Sequence, residues 1–180
     1  MATYIGAVLA GGAARRFGSD KAQATLNGLP LMEHAFNQLT EFVDLTIVCG
    51  RDVSGYVCVP DRPRPGMGPL GGLAAALHFA RVNGADKVIS IGCDTPFVSP
   101  KALSSLIERD GAAFIENLPV IGIWPTALAE SLDEFLASDC KHSVWRWARS
   151  VDAAALHWDP IPNVNFKDDL TQLEAQLHSG

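Results

Sequence analysis

Between Leu9 and Lys21 the chain reads Leu-Ala-Gly-Gly-Ala-Ala-Arg-Arg-Phe-Gly-Ser-Asp-Lys, a stretch suited to chemistry on phosphate. Glycines let a backbone approach a phosphate closely and aim its N–H groups at it. Arg16 and Lys21 add positive charge that can neutralise a triphosphate or a departing pyrophosphate. Two carboxylates recur farther on: Asp61 after Pro60, and Asp94 in Cys93-Asp-Thr-Pro-Phe97. Asp94 has the chemistry of a magnesium ligand, because that ion favours carboxylate, phosphate and water oxygens. Each segment also has a plainer reading. Adjacent glycines serve a strand-to-helix turn, and both Pro-Asp and Asp-Thr-Pro are ordinary turn sequences.

Two familiar phosphate loops do not fit. A Walker A loop needs Gly-Lys-Ser/Thr, whereas Gly18 is followed by Ser19-Asp20-Lys21. A dinucleotide fingerprint needs G-x-G-x-x-G, whereas Gly11 and Gly12 are adjacent. His34, His78, His142, His157 and His178 have no metal-ligand spacing. Cys49, Cys58, Cys93 and Cys140 form no C-x-x-C pair, which implies reduced thiols in a reducing compartment. No Ser-His-Asp or Cys-His arrangement stands out.

The elements that must position these residues follow from pattern. Tyr4 to Leu9 is an apolar run of strand formers ending at the glycines. Apolar residues recur with a helical period from Leu31 to Phe42. Leu45 to Cys49, Tyr56 to Val59 and Lys87 to Ile91 read as further strands. A Pro/Gly loop is expected from Arg62 to Gly72 and an Ala-rich helix from Leu73 to Val82. Ser99-Pro100 opens a helix that runs to about Glu108. The second half is less regular. Strands are expected over Ala112 to Ile115, Val120 to Trp124 and Ala153 to Trp158, with helices over Ala127 to Ala137, Val144 to Arg149 and Asp168 to Leu177.

Strands alternating with helices at this spacing imply a three-layer α/β/α sandwich with a mainly parallel, Rossmann-like sheet. Ligands of such sheets sit at the carboxyl ends of strands, and here those ends carry Gly11-Gly12, Asp61 and Asp94. One domain over residues 1–180 is expected.

Of the 180 residues, 48% are hydrophobic and 19% charged, as in a folded soluble domain. The net charge of −6 argues against a nucleic-acid or anionic-membrane binder but leaves room for a small polyanion at a local basic site. No apolar run reaches the roughly 18 residues of a bilayer span, and the stretch from Tyr4 to Ala10 lacks a basic segment before it. A cytoplasmic location is the expectation.

The pattern Leu-Ala-Gly-Gly, two residues, Arg-Arg, one residue, Gly, then Asp-Lys resembles the signature loop of the molybdenum cofactor guanylyltransferases. Leu26-Asn-Gly-Leu-Pro-Leu31, Gly68-Pro-Leu-Gly-Gly72, Cys93-Asp-Thr-Pro-Phe97 and Asn163-Val-Asn165 extend it in the same order. The resemblance is dense to about Pro100 and thin from there to about Pro160. It implies the nucleotide-diphospho-sugar transferase fold, with a nucleotide-binding half at 1–100 and an acceptor-binding half at 101–180. By resemblance, Leu9, Ala10 and Gly11 line the nucleotide pocket, and Gly12 and Arg16 lie near the phosphates. Lys21 contacts the triphosphate, Asp61 belongs to the nucleotide site and Asp94 binds magnesium. The implied reaction moves GMP from GTP to the molybdenum-pterin cofactor with loss of pyrophosphate. It needs no side-chain nucleophile, only positioning and charge neutralisation. Transient contact with cofactor-insertion proteins or target molybdoenzymes is implied as well.

The chain departs from the family at several points. Cys49 stands where an asparagine often contacts the nucleotide, and a thiol cannot replace an amide's hydrogen bonds. The link between Ile115 and Trp124 lacks a charged His-Pro-type element, of which Thr126 retains a part. Lys141-His142-Ser143 stands where an arginine-bearing segment commonly meets the second substrate, with Lys141 or Arg146 as substitutes. Trp145 and Trp147 can stack on a pterin, but their spacing of two puts at least one of them into packing. Cytidylyl transfer to the same cofactor and sugar-phosphate nucleotidyl transfer remain open alternatives. So does a non-catalytic nucleotide-binding accessory protein.

Overall fold

A computed structural model describes residues 2–11, 20–138 and 141–177. In chain order the elements are β1 (Tyr4–Leu9), β2 (Thr25–Leu26), β3 (Leu29–Pro30), α1 (Leu31–Leu39), β4 (Leu45–Cys49), β5 (Cys58–Val59), α2 (Gly68–Val82) and β6 (Lys87–Gly92). There follow α3 (Pro100–Ile107), β7 (Ala113–Ile115), β8 (Gly122–Pro125), α4 (Ala129–Ala137), α5 (Val144–Ser150), β9 (Ala154–Leu156) and α6 (Lys167–Leu177).

The central sheet has seven strands in the order β5-β4-β1-β6-β8-β7-β9. Every pairing is parallel except the two made by β8. Chain length explains the exception. A parallel crossover needs roughly a dozen residues or more, and only residues 116–121 separate β7 from β8, so the chain turns back as a hairpin. Leu118 N donates to Ile115 O (3.0 Å) and Ile121 N to Leu118 O (2.9 Å) inside that turn.

Strand residues alternate between two cores, as a period of two requires. Ile5, Ala7, Leu9, Ile47 and Cys49 face α2, whereas Val8, Ala10 and Val48 share the other core with Met32, Ala35 and Leu39 of α1. Gly6 permits α1 to lie close, since a Cβ there would stand 3.1 Å from Leu39 Cβ. The α2 helix is the central prop and is buried along most of its length. It begins at Gly68 rather than at Leu73, so the segment read as the end of a loop is its first turn. Pro69 is tolerated at that position, and Gly71 and Gly72 are retained because the helix presses on the sheet there. A Cβ on Gly72 would lie 3.2 Å from both Cys49 Cβ and Leu9 Cδ2. Tertiary packing thus overrides the poor helix propensity of glycine.

The second half has its own aromatic core. Trp124 and Trp147 are fully buried with ring centroids 5.0 Å apart, and Trp124 Nε1 donates to Ser90 Oγ at 2.9 Å. Expected strands shrink at the edges: β5 starts at Cys58 rather than Tyr56, and β9 covers Ala154–Leu156 only. Among the described residues no helix is long and apolar enough to cross a membrane.

Candidate active site

The carboxyl ends of β1, β4 and β6 open into a cleft of about 420 Å³. The topology that puts these parallel strands side by side also gathers their trailing loops. Leu9, Ala10 and Gly11 follow from β1, Gly50 and Arg51 from β4, and Gly92, Cys93 and Asp94 from β6; all line the cleft. Lys21 enters from the side.

Lys21 is aimed by local structure. It opens a single 3-10 turn, Lys21–Gln23, whose first residues are capped by Asp20 through a bond from Ala22 N to Oδ1 (3.2 Å). The buried Ala22 anchors the turn. Asp20 is gripped by both terminal nitrogens of the Arg51 guanidinium, Nη1 reaching Oδ1 at 2.9 Å and Nη2 reaching Oδ2. That contact holds the Asp20 carboxyl below its usual range and pushes Arg51 higher still. Half-exposed ion pairs add little stability; this one fixes the register between the turn and the end of β4.

From that turn the Lys21 ammonium donates to Asp94 Oδ2 at 2.9 Å and to Asn165 Oδ1 at 3.2 Å. Asp94 is braced on several sides. A Cβ on Gly92 would stand 2.5 Å from Asp94 Oδ1, so only glycine leaves room for the carboxylate to fold back over the strand end. The buried Thr95 donates its hydroxyl to Gly92 O at 2.6 Å. From α1, Gln38 donates to Thr95 O at 3.1 Å while its own carbonyl accepts from Val98 N. Val164 N donates to Asp94 O at 2.8 Å, which ties the C-terminal segment to the same loop.

Asn165, in the late Asn-x-Asn motif, is a partner of Lys21. Val164 is fully buried with Leu26 and Leu31, and Asp169 Oδ2 accepts from Asn165 N and Phe166 N at 2.7 and 2.8 Å as α6 begins. This anchoring turns the Asn165 side chain toward Lys21. Gln38 and Arg51 carried no motif at all, so only the fold reveals them.

The other expected site residues fall in different places. Asp61 is 7% exposed and lies behind the glycine wall rather than on the cleft surface. A Cβ on Gly11 would be 3.0 Å from both Asp61 oxygens, and one on Gly50 2.6 Å from Oδ1. Gly50 also has φ +85°, a conformation that glycine adopts without strain. Asp61 Oδ1 is buried with no hydrogen-bond partner among the described residues. Burial raises its carboxyl pKa, against the opposing pull of the Gly66 and Met67 backbone N–H groups. Cys49 is fully buried against α2 and does not reach the cleft, where Gly50 takes the strand-end position instead. Its carbonyl accepts from Ala10 N at 2.9 Å, and burial drives its thiol pKa far upward. Cys93 does line the cleft; burial, reinforced by the Asp94 charge, pushes its thiol up to about 12, so it stays neutral. Gly12 and Arg16 lie outside the described residues.

Among the described residues, no cluster of three or more His, Cys, Asp or Glu side chains could hold a metal by itself. A single carboxylate, Asp94, in an open cleft does not suit zinc, which wants a near-complete protein shell. It does suit magnesium, which keeps several waters and takes substrate phosphate oxygens.

The family described as MobA-like NTP transferase domain matches residues 6–154. The molybdenum cofactor guanylyltransferase of Rhizobium leguminosarum bv. trifolii is 31% identical, over 97% of this chain and 93% of that protein. That of Cereibacter sphaeroides is 34% identical, over 96% of each. In three dimensions the chain is similar to molybdopterin-guanine dinucleotide biosynthesis protein A of Archaeoglobus fulgidus, with TM-score 0.78, 20% identity and coverage of 99% of this chain and 100% of that one. It is also similar to 2-C-methyl-D-erythritol 4-phosphate cytidylyltransferase of Thermus thermophilus, with TM-score 0.74, 16% identity and the same coverage. The fold is that of the nucleotide-diphospho-sugar transferases.

Proposed function

The chain belongs to the MobA-like NTP transferase domain family, and from that premise we propose that it transfers GMP from GTP to the molybdenum-pterin cofactor in the cytoplasm. The observation that carries this reading is the meeting of Lys21, Asp94 and Asn165 at the carboxyl edge of the sheet, beside a wall built from Gly11 and Gly50. The names of the relatives support the choice of nucleotide and acceptor.

An oxygen of the acceptor's terminal phosphate attacks the α-phosphorus of GTP. The bond from that phosphorus to the bridging oxygen of the β-phosphate breaks, and pyrophosphate leaves with the electron pair. The ionised phosphate has no proton to lose, so no general base is needed, in keeping with the neutral Cys93. The difficulty is charge: two polyanions must meet. Magnesium held by Asp94 would supply charge neutralisation on the phosphate oxygens when bound.

The chain's own residues do the rest. Lys21 carries positive charge to the phosphates and holds the departing pyrophosphate. Asp94 and Asn165 keep its ammonium fixed before substrate arrives, so little reorganisation is required at the moment of reaction. Asp20 and Arg51 hold the turn that bears Lys21. Asp61, buried behind Gly11 and Gly50, supports the nucleotide side of the cleft from beneath rather than touching the base. The test is to mix the protein with GTP, magnesium and molybdenum-pterin cofactor and to measure pyrophosphate and the guanine dinucleotide product. Stoichiometric appearance of both is expected, and absence of both while GTP is bound would overturn the reading.

A further inference from the structure

The helix α5 carries two tryptophans, and the structure separates their roles. Trp147 is fully buried against Trp124, whereas Trp145 is 45% exposed. Arg149, one turn on, lies over the Trp145 ring at 5.3 Å from its centroid and steadies the indole. The exposed ring borders a second cavity of about 330 Å³, whose other walls include Met67, Leu70 and Val144. Pro69 and Val120 border both this cavity and the cleft that holds Lys21 and Asp94, so the two spaces adjoin. His142 and Ser143 supply a polar edge. The His142 ring is oriented by Phe135 (centroids 5.7 Å apart) and by its Nε2 contact with Ser138 O at 3.0 Å.

This combination has a chemical meaning. Ligand pockets start at about 300 Å³, so the cavity accommodates one flat ring system rather than a second nucleotide. Its walls are mostly apolar, the Trp145 indole is among them, and His142 and Ser143 supply the polar side chains. Such a site suits a planar nitrogen heterocycle, which stacks through its face and uses its edge for hydrogen bonds. The position also fits, because a ring held here has its substituent beside the phosphate-handling cleft.

We propose that this cavity receives the heteroaromatic ring system of the phosphate-bearing acceptor, stacked on the Trp145 indole. The proposal rests on the reading above that an acceptor phosphate attacks the nucleotide. It assigns to Trp145 a binding role in a part of the chain where the family resemblance is thin.

The test uses the whole chain, its Trp145→Ala and Trp145→Phe variants, and 6-hydroxymethylpterin as probe. Pterin emission is excited beyond tryptophan absorption, so the buried tryptophans contribute nothing. Quenching by the wild-type chain should be saturable. Trp145→Ala should weaken it about tenfold or more, while Trp145→Phe should retain it within about threefold. GTP affinity, measured by calorimetry, should be unchanged in both variants. The proposal is overturned if the wild-type chain shows no saturable quenching, or if Trp145→Ala binds the pterin as well as wild type. It is overturned also if Trp145→Ala weakens GTP binding, since the platform would then belong to the donor base. Failure of the wild-type chain to bind GTP, with Trp145-dependent pterin binding intact, would sink the guanylyl reading and leave the cavity's assignment standing.

Discussion

The two halves of the molecule solve the same problem differently. In the first half, β1, β4 and β6 run parallel and each delivers its site residues within a residue or two of its own end. The side chains there are held by close backbone approach: a Cβ at Gly11 or Gly50 would press on Asp61, and one at Gly92 on Asp94. In the second half β8 reverses direction, the edge strand β9 is short, and the aromatic pair Trp124–Trp147 fills the interior. Among the described residues this half contributes to the reaction centre the β7–β8 turn, whose Leu118 and Val120 line the cleft, and the returning segment Val164-Asn165. The first half is an edge dense with chemistry; the second is a wall with a cavity, continuous with it through the β6–β8 pairing. Donor-side chemistry should therefore be intolerant of change, and acceptor-side contacts more forgiving.

The sharpest way to break this comparison is Asp94→Ala. Pyrophosphate release should fall about a thousandfold, in the range seen when a charge-stabilising group is removed. Lys21→Ala should cost about a hundredfold in kcat with a smaller change in KM, because its charge matters most as pyrophosphate departs. If either change were mild, the convergence at the sheet edge would not be the reaction centre.

Gly50→Ala tests the glycine wall itself. The added Cβ would stand 2.5 Å from Gly11 Cα, in a backbone conformation of φ +85°. A loss of about 2 to 3 kcal/mol in urea unfolding is expected, along with weakened nucleotide binding. Asn165→Ala tests the bond between the halves. It should lower kcat about tenfold, and a double-mutant cycle with Lys21→Ala should show coupling, since both act on one ammonium.

The smallest effect concerns Asp61. Burial raises its folded-state pKa, so the folded chain holds this proton to higher pH than the unfolded chain does. The contribution to stability is then greatest at acid pH and is lost as pH rises from the ordinary carboxylate pKa through the raised one. Asp61→Asn should raise the melting temperature slightly at neutral pH and not below the ordinary carboxylate range. A variant that is destabilised at neutral pH would show that the charged carboxylate is satisfied in the fold.

What the sequence revealed follows this division. Buried parallel strands leave continuous apolar runs, and their loops follow directly, so the sequence already places Leu9 to Gly11 and Asp94 on one edge, whereas Asp61, expected beside them, lies behind the glycine wall. Gln38 and Arg51 were not legible, because an amide on a helix and an arginine after a strand carry no signal until packing brings them to Thr95 and Asp20. Cys49 shows the opposite failure. It sits at a promising strand end, yet the strand's alternation turns it into the core beneath α2 and hands the cleft to Gly50. The start of α2 was missed because Gly-Pro-Leu-Gly-Gly looks like a loop, whereas close packing on the sheet requires small residues there. For the tryptophans, spacing alone required one of the pair to pack, and only the fold showed which.

We propose above all that the sheet edge binds a guanine nucleotide through Asp94 and magnesium. The most direct test is calorimetric titration of the chain with GTP, CTP, ATP and UTP in the presence and absence of magnesium, repeated for GTP with Asp94→Ala. Selective binding of GTP, strengthened by magnesium in the wild type and indifferent to it in the variant, is the predicted result. Preference for CTP, or a magnesium effect that survives Asp94→Ala, would contradict it.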